Sequence, residues 1–133
     1  MYQYLAQEGK FLKSGVAYDA ATGLTYDGQP IDPTTLLLSS NARNWSSPSK
    51  EALFNHLMAL ALTNNTLAQY IFAVNSPTNV TNTVFDLLAK RIAAYQSFNT
   101  SNPGYGGFLT WFTISGGKIT PTGDWRVCLN NFH

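Results

Sequence analysis

Charge is what this sequence most plainly lacks. Only 11% of its 133 residues are Asp, Glu, Lys or Arg, against about 25% in an average soluble chain. The eight Lys and Arg residues are scattered and the net charge is +1. That supplies no phosphate-neutralising patch, so nucleic acid is not an expected partner. Cysteine is nearly absent: Cys128 alone excludes an internal disulfide framework and a multi-cysteine metal site. A reactive thiol would need a cationic, partly exposed niche; with only Arg126 near it in sequence, Cys128 is read as a small packing residue. No apolar run reaches the roughly 18 residues of a membrane span. The opening segment, Met1 to Gly15, lacks the basic-then-apolar order of a signal peptide, so a secreted form is expected to take its leader from outside these residues.

The familiar catalytic signatures are missing as well. There is no P-loop, dinucleotide fingerprint, HExxH or GxSxG. The two histidines, His56 and His133, are far apart, and His56 reads as a hydrogen-bonded interior or boundary residue. Asp19, Asp27 and Asp32 are spaced too irregularly for a calcium loop and suit turn and cap roles. No metal and no cofactor is expected. Seven carboxylates form the pool for acid–base work: Glu8, Asp19, Asp27, Asp32, Glu51, Asp86 and Asp124. Glycoside hydrolysis needs two facing carboxyls, about 5 Å apart for retention or roughly 6.5–9.5 Å for inversion, and spacing along the chain identifies no such pair. Glu51, in the first turn of a helix, is explained by the helix dipole alone.

What replaces charge is Asn, Ser, Thr, Gly and aromatics. Hydrophobic residues reach 44%, enough for one globular domain with a real core. A neutral surface of hydroxyls and amides suits a secreted protein that meets sugars. Asn-x-Ser/Thr sequons stand at Asn44, Asn64, Asn79 and Asn99, where about two would arise by chance, and mark a glycoprotein.

The chain divides into a loop-rich opening segment over 1–45, a helical core over 46–99 and a Gly/aromatic hairpin and tail over 100–133. Tyr2 to Lys13 suits a short helix, and Asp27-Gly28 a tight turn. Ser47 with Pro48 opens a helix at its cap and first position. Leu53, Phe54, Leu57, Leu60 and Ala61 form its buried stripe. Asn64-Asn65 ends it and starts a second helix with Leu67, Tyr70, Ile71 and Val74 inward. Ser76-Pro77 breaks that one. A third helix, from about Val80 to Phe98, buries Val80, Val84, Leu87, Leu88, Ile92 and Tyr95. Then SNPGYGG is loop chemistry, FLTWFTI is strand-like, and Gly116-Gly117 turns a hairpin into KITPT. The fold class is mainly α: three to four packed helices plus a C-terminal β-hairpin.

Tyr105, Trp111, Phe112 and Trp125 gather around glycines near the end. Sugar rings stack their C–H faces on flat aromatics, while their hydroxyls need Asn, Asp or Arg partners. The same aromatics also suit plain hairpin packing.

Three segments resemble the (α/α)-toroid glycoside hydrolases that include endo-β-1,2-glucanases and related glucoamylase-like proteins. Tyr18 to Gly28, YDAATGLTYDG, resembles the family's opening loop. Ser47 to Leu62, SPSKEALFNHLMALAL, resembles its first barrel helix. Pro103 to Phe112, PGYGGFLTWF, resembles its Gly-Phe-Leu-x-Trp-Phe strand. The resemblance implies the N-terminal part of an (α/α)6 toroid, truncated. It implies a glycan or polysaccharide partner, and sugar-site lining by Trp111 and Asn131, with Tyr26 and Asp27 beside them; Tyr105 and Trp125 join this set as aromatics. Arg126 to Phe132, RVCLNNF, falls where the family has Val-x-x-Leu/Val-Asp-Asn-Gly. There Asn130 replaces the aspartate and Phe132 the glycine. No catalytic residue carries over, because the family's acids are expected beyond His133. The leading expectation is a carbohydrate-handling module without turnover of its own. The alternatives are a piece of an active glucan hydrolase, and a self-associating structural protein whose exposed helix faces form a homo-oligomer.

Overall fold

The computed structural model describes residues 1–39 and 43–122. Its elements run in the order α1 (Tyr2–Phe11), β1 (Trp45–Ser46), α2 (Pro48–Leu62), α3 (Thr66–Ala73), α4 (Val80–Ser101), a 3-10 turn (Pro103–Tyr105), β2 (Phe112–Ser115) and β3 (Lys118–Pro121). Helices α2, α3 and α4 pack on one another and α1 packs on α3, and the three strands form an antiparallel sheet in the order β1-β2-β3. The mainly α class with a hairpin is therefore correct, with a two-residue strand, β1, added at the sheet's edge.

Local chemistry sets most boundaries. Ser47 is extended and Pro48 opens α2, where the missing N–H costs nothing. Asn64 takes the left-handed conformation (φ 63°), and Asn65 caps α3 by accepting from the Leu67 and Ala68 amides at 3.1 Å. Gly116 and Gly117, both at positive φ, make the two-residue turn that pairs Ser115 with Lys118. Gly9 lets α1 lie against α3: a Cβ there would sit 2.6 Å from Val74 Cγ2 and 2.7 Å from the Ile71 carbonyl. No described helix is long and apolar enough to cross a membrane.

The inward faces differ from the expected stripes. In α2 the buried residues are Glu51, Phe54, Met58 and Ala61, whereas Leu53 is 72% exposed and His56 is exposed rather than interior. In α3 Ala68 and Phe72 are buried, and Tyr70 turns out to edge onto Tyr2 of α1, with ring centres 5.3 Å apart. In α4 the ridge is Val84, Leu87, Arg91, Ala94 and Phe98, while Ile92 is half-exposed. Phe54, Ala61, Val84 and Leu87 are buried as expected, and Leu57, Leu60, Val80 and Leu88 pack partly buried against the core. These helices are apolar over much of their circumference, so the partner and not the pattern selects the buried side. Asp27-Gly28 is not a tight turn: it pairs with Arg43, whose N–H donates to the Gly28 carbonyl at 2.9 Å.

Two cores result. Phe54, Met58, Ala61, Ala68, Phe72, Val84 and Leu87 join α2, α3 and the first half of α4. Leu24, Ala94, Phe98, Phe112, Ile114 and Ile119 join the opening loop, the second half of α4 and the hairpin.

Candidate sugar-facing site at the start of the second helix

Between the two cores lies a buried polar knot. Glu51 and Arg91 form an ion pair with side chains 3% and 1% exposed. Arg91 also donates to Asn55 Oδ1 at 2.8 Å and to the Gly23 carbonyl at 2.7 Å. Glu51 accepts from the Thr25 N–H at 2.9 Å, the Thr25 hydroxyl at 2.6 Å, the Ser46 hydroxyl at 2.9 Å and the Tyr95 hydroxyl at 3.2 Å. This corrects the reading of Glu51 as a helix-dipole residue: it is a tie between the opening loop, β1, α2 and α4. Burial first, then the Glu51 charge, pushes the Tyr95 phenol well above its ordinary range.

The knot explains the YDAATGLTYDG loop. Asp19 accepts from the Ala21 and Thr22 amides, the Thr22 hydroxyl and, at 3.2 Å, the Tyr26 hydroxyl. Gly23 takes φ +69°, and a Cβ there would sit 3.1 Å from the Leu87 carbonyl oxygen, so a side chain would be strained and crowded. Leu24 is fully buried. Burial and the neighbouring Asp19 carboxylate raise the Tyr26 pKa.

The loop thus sets down Asp27 beside the start of α2. Asp27 pairs with Lys50 and, at 3.9 Å, with Arg43. Lys50 Nζ also donates to the Asp27 carbonyl at 2.6 Å and lies 5.9 Å from the centre of the Trp45 ring. Trp45 stacks on Trp111, with ring centres 5.1 Å apart and planes 24° apart. Alternation along the sheet produces this pair. Phe112 and Ile114 point into the core, so Trp111 and Thr113 face outward. Trp45 pairs with Thr113 across the ladder, which makes Trp45 and Trp111 diagonal neighbours on the outer face. Both indoles are only half-buried. Next to them a groove of about 530 Å³ is lined by Thr25, Tyr26, Asp27, Gln29 and Lys50 together with Phe11, Leu53 and Leu57.

Of the expected site residues, Tyr26 and Asp27 line the groove, and Trp111 belongs to the indole pair that Lys50 approaches. Tyr105 packs against Phe98 beside the second core. Trp125 and Asn131, with Asn130, Asp124 and Cys128, lie outside the described residues. Trp45 and Lys50 were not legible as site residues: β1 is two residues long and carries no local strand signal. The sequon residues Asn44, Asn64, Asn79 and Asn99 are all exposed. The Asn44 side chain donates to the Ile114 carbonyl at 3.3 Å. Among the described residues, no three of His, Cys, Asp and Glu are grouped to hold a metal.

A family model described as endo-beta-1,2-glucanase SGL matches residues 24–131. Two solved structures of the endo-β-1,2-glucanase from Talaromyces funiculosus, a mutant in complex with β-1,2-glucan and the enzyme in complex with sophorose, superpose with a TM-score of 0.83 at 32% identity. The alignment covers 93% of this chain and 25% of theirs, so the chain spans about a quarter of the length of that enzyme. Among curated proteins, no sequence matches it. The helices and hairpin accordingly correspond to part of a helical glycoside hydrolase toroid, and the chain belongs to the endo-β-1,2-glucanase family.

Proposed function

We propose that this chain contacts a glucan on the surface formed by Trp45, Trp111 and the Asp27–Lys50 pair, and does not hydrolyse it by its own residues. The observation that carries the reading is the stacked, half-exposed indole pair set beside fixed charged groups. Stacking pins the two rings in place, and their exposed surfaces offer flat faces to pyranose C–H bonds. Asp27 and Lys50 offer an acceptor and a donor for hydroxyls, and the mutual ion pair holds both in position. The relatives solved with β-1,2-glucan and sophorose support β-1,2-linked glucose as the ligand.

The absence of turnover rests on where the carboxylates sit. Glu51 is sealed in its pair with Arg91. Asp19 and Asp32 are consumed by turn amides, and Asp27 by cations. Glu8 and Asp86 are exposed on α1 and α4. None of these six faces a second open carboxylate. Intrinsic tryptophan fluorescence, titrated with sophorose and longer β-1,2-glucooligosaccharides, tests binding. A saturable change that Trp45→Ala and Trp111→Ala each weaken supports the proposal; no change with either ligand sinks it. Efficient release of oligosaccharides from β-1,2-glucan by the purified chain would sink the non-catalytic part.

A second reading is that these residues form part of an active hydrolase whose acid and base come from other segments, supported by the 25% coverage of the Talaromyces enzyme. Reading the coding sequence past His133 separates the two: a helical continuation bearing paired carboxylates favours the second. We also propose secretion with N-glycosylation, supported by the exposure of all four sequon asparagines. Treatment of the protein from a eukaryotic secretory host with an N-glycosidase, followed by mass measurement, tests it; an unmodified mass at every sequon removes this support.

A further inference from the structure

Helix α4 is apolar on two sides. Its buried ridge, Val84, Leu87, Arg91, Ala94 and Phe98, faces the two cores. At about 100° per residue, Phe85, Ala89, Ile92, Ala93 and Gln96 gather on the opposite side, and all five are exposed. Phe85 is 56% and Ile92 54% accessible. No charge interrupts this stripe over about three turns. The charged residues of α4 are Asp86, Lys90 and Arg91, and Arg91 is committed to the buried pair with Glu51. Asp86 and Lys90 stand one turn apart on one flank of the stripe, where both line a hollow with Ser14, Tyr18 and Ala20. The Lys90 ammonium donates to the Ala20 carbonyl at 2.9 Å, which holds that flank toward the opening loop. The other flank, with Leu88 and Tyr95, carries no charge.

Exposed apolar side chains in a row, rimmed by polar residues, mark a surface that association covers. The two charges select the partner and its direction. In an antiparallel pair of α4 helices, a two-fold axis perpendicular to both keeps each flank against its own counterpart. With that axis between Leu88 and Ala89, Phe85 falls opposite Ile92 of the second copy. Asp86 then lies about 1.5 Å, one residue, along the helix axis from Lys90 of the second copy, and the same ion pair forms twice. In a parallel pair the charged flank would meet the uncharged Leu88–Tyr95 flank, and both charges would lose water without a counter-charge. A net charge of +1 opposes self-association little.

We infer that the outward face of α4 is a self-complementary interface, which pairs two copies of this chain antiparallel through Phe85, Ala89 and Ile92, with Asp86 and Lys90 exchanging ion pairs along one edge. It does not depend on glucan binding at the indole surface. The sequon residues Asn79 and Asn99 stand at the two ends of α4, outside the paired stretch 81–96. One helix on one helix is a small interface, so a dissociation constant on the order of 10–100 µM is expected.

Sedimentation equilibrium of the 133-residue chain, from about 5 to 500 µM so as to bracket that constant, is the test. The average mass should rise from 14.6 kDa toward twice that value and no further. Ile92→Asp puts a charge into the stripe at an exposed position and should weaken the pairing by about tenfold or more. Asp86→Lys and Lys90→Asp should each weaken self-pairing, whereas an equimolar mixture of the two should pair at least as tightly as the parent, because each like-charged edge then meets its opposite. Circular dichroism checks the fold of every variant. A monomer at all concentrations overturns the inference and assigns the stripe to a different protein or another segment. Growth beyond a dimer, a dimer insensitive to Ile92→Asp, or a mixture that pairs no better than its components also overturns it.

Discussion

Replacing Arg91 by Met keeps the length and apolar stem of the side chain and removes only its guanidinium. The structure gives the consequences. Lost are the pair with Glu51, the 2.8 Å bond to Asn55 and the 2.7 Å bond to the Gly23 carbonyl. Left behind is a carboxylate that is 3% exposed, still held by neutral donors from Thr25, Ser46 and Tyr95. Breaking one side of a buried pair costs about 3–5 kcal/mol, a large share of the ~5–15 kcal/mol that holds a domain together. For a chain of this length that corresponds to a fall of about 10–20 °C in Tm. Circular dichroism on heating and in urea measures both. The double variant Glu51→Gln with Arg91→Met removes the uncompensated charge, and should recover about 1–3 kcal/mol of the loss. An Arg91→Met chain within about 1 kcal/mol of the parent would refute the claim that the knot ties the two cores together. So would a double variant less stable than the single one.

Three further outcomes follow from particular positions. Tyr95 has a pKa raised above 10.0 in the folded chain, so its stabilising contribution is complete below the unfolded value and is lost as pH rises past it; urea midpoints should fall more steeply between about pH 9 and 11 in the parent than in Tyr95→Phe. Gly9→Ala places a methyl against Val74 and the Ile71 carbonyl and should cost about 1–3 kcal/mol; an unchanged urea midpoint would show that α1 does not pack on α3 as described. Leu36 is exposed with φ +56°, a conformation that disfavours a branched side chain and suits Asn; Leu36→Asn should raise stability by about 0.5–1 kcal/mol, and a lower Tm would count against strain there.

The sequence by itself determined the helices and the hairpin, though not β1. Ser47-Pro48, Asn64-Asn65, Ser76-Pro77 and Gly116-Gly117 act through backbone chemistry within a few residues, so the helix and hairpin boundaries follow from local physics. The three motifs that resemble the family were legible for the same reason, being short runs in a fixed order.

Only the tertiary structure decided which helix faces are buried and what gathers at the site. Both Ile92 and Arg91 could turn inward on an apolar-rich helix. Arg91 does so because Glu51, Asn55 and the Gly23 carbonyl, brought from two other segments, repay the burial of its charge. Trp45 meets Trp111 because a two-residue strand pairs in one register with a strand far along the chain. Such partners are fixed by packing and ladder register across long separations, and no local spacing encodes them.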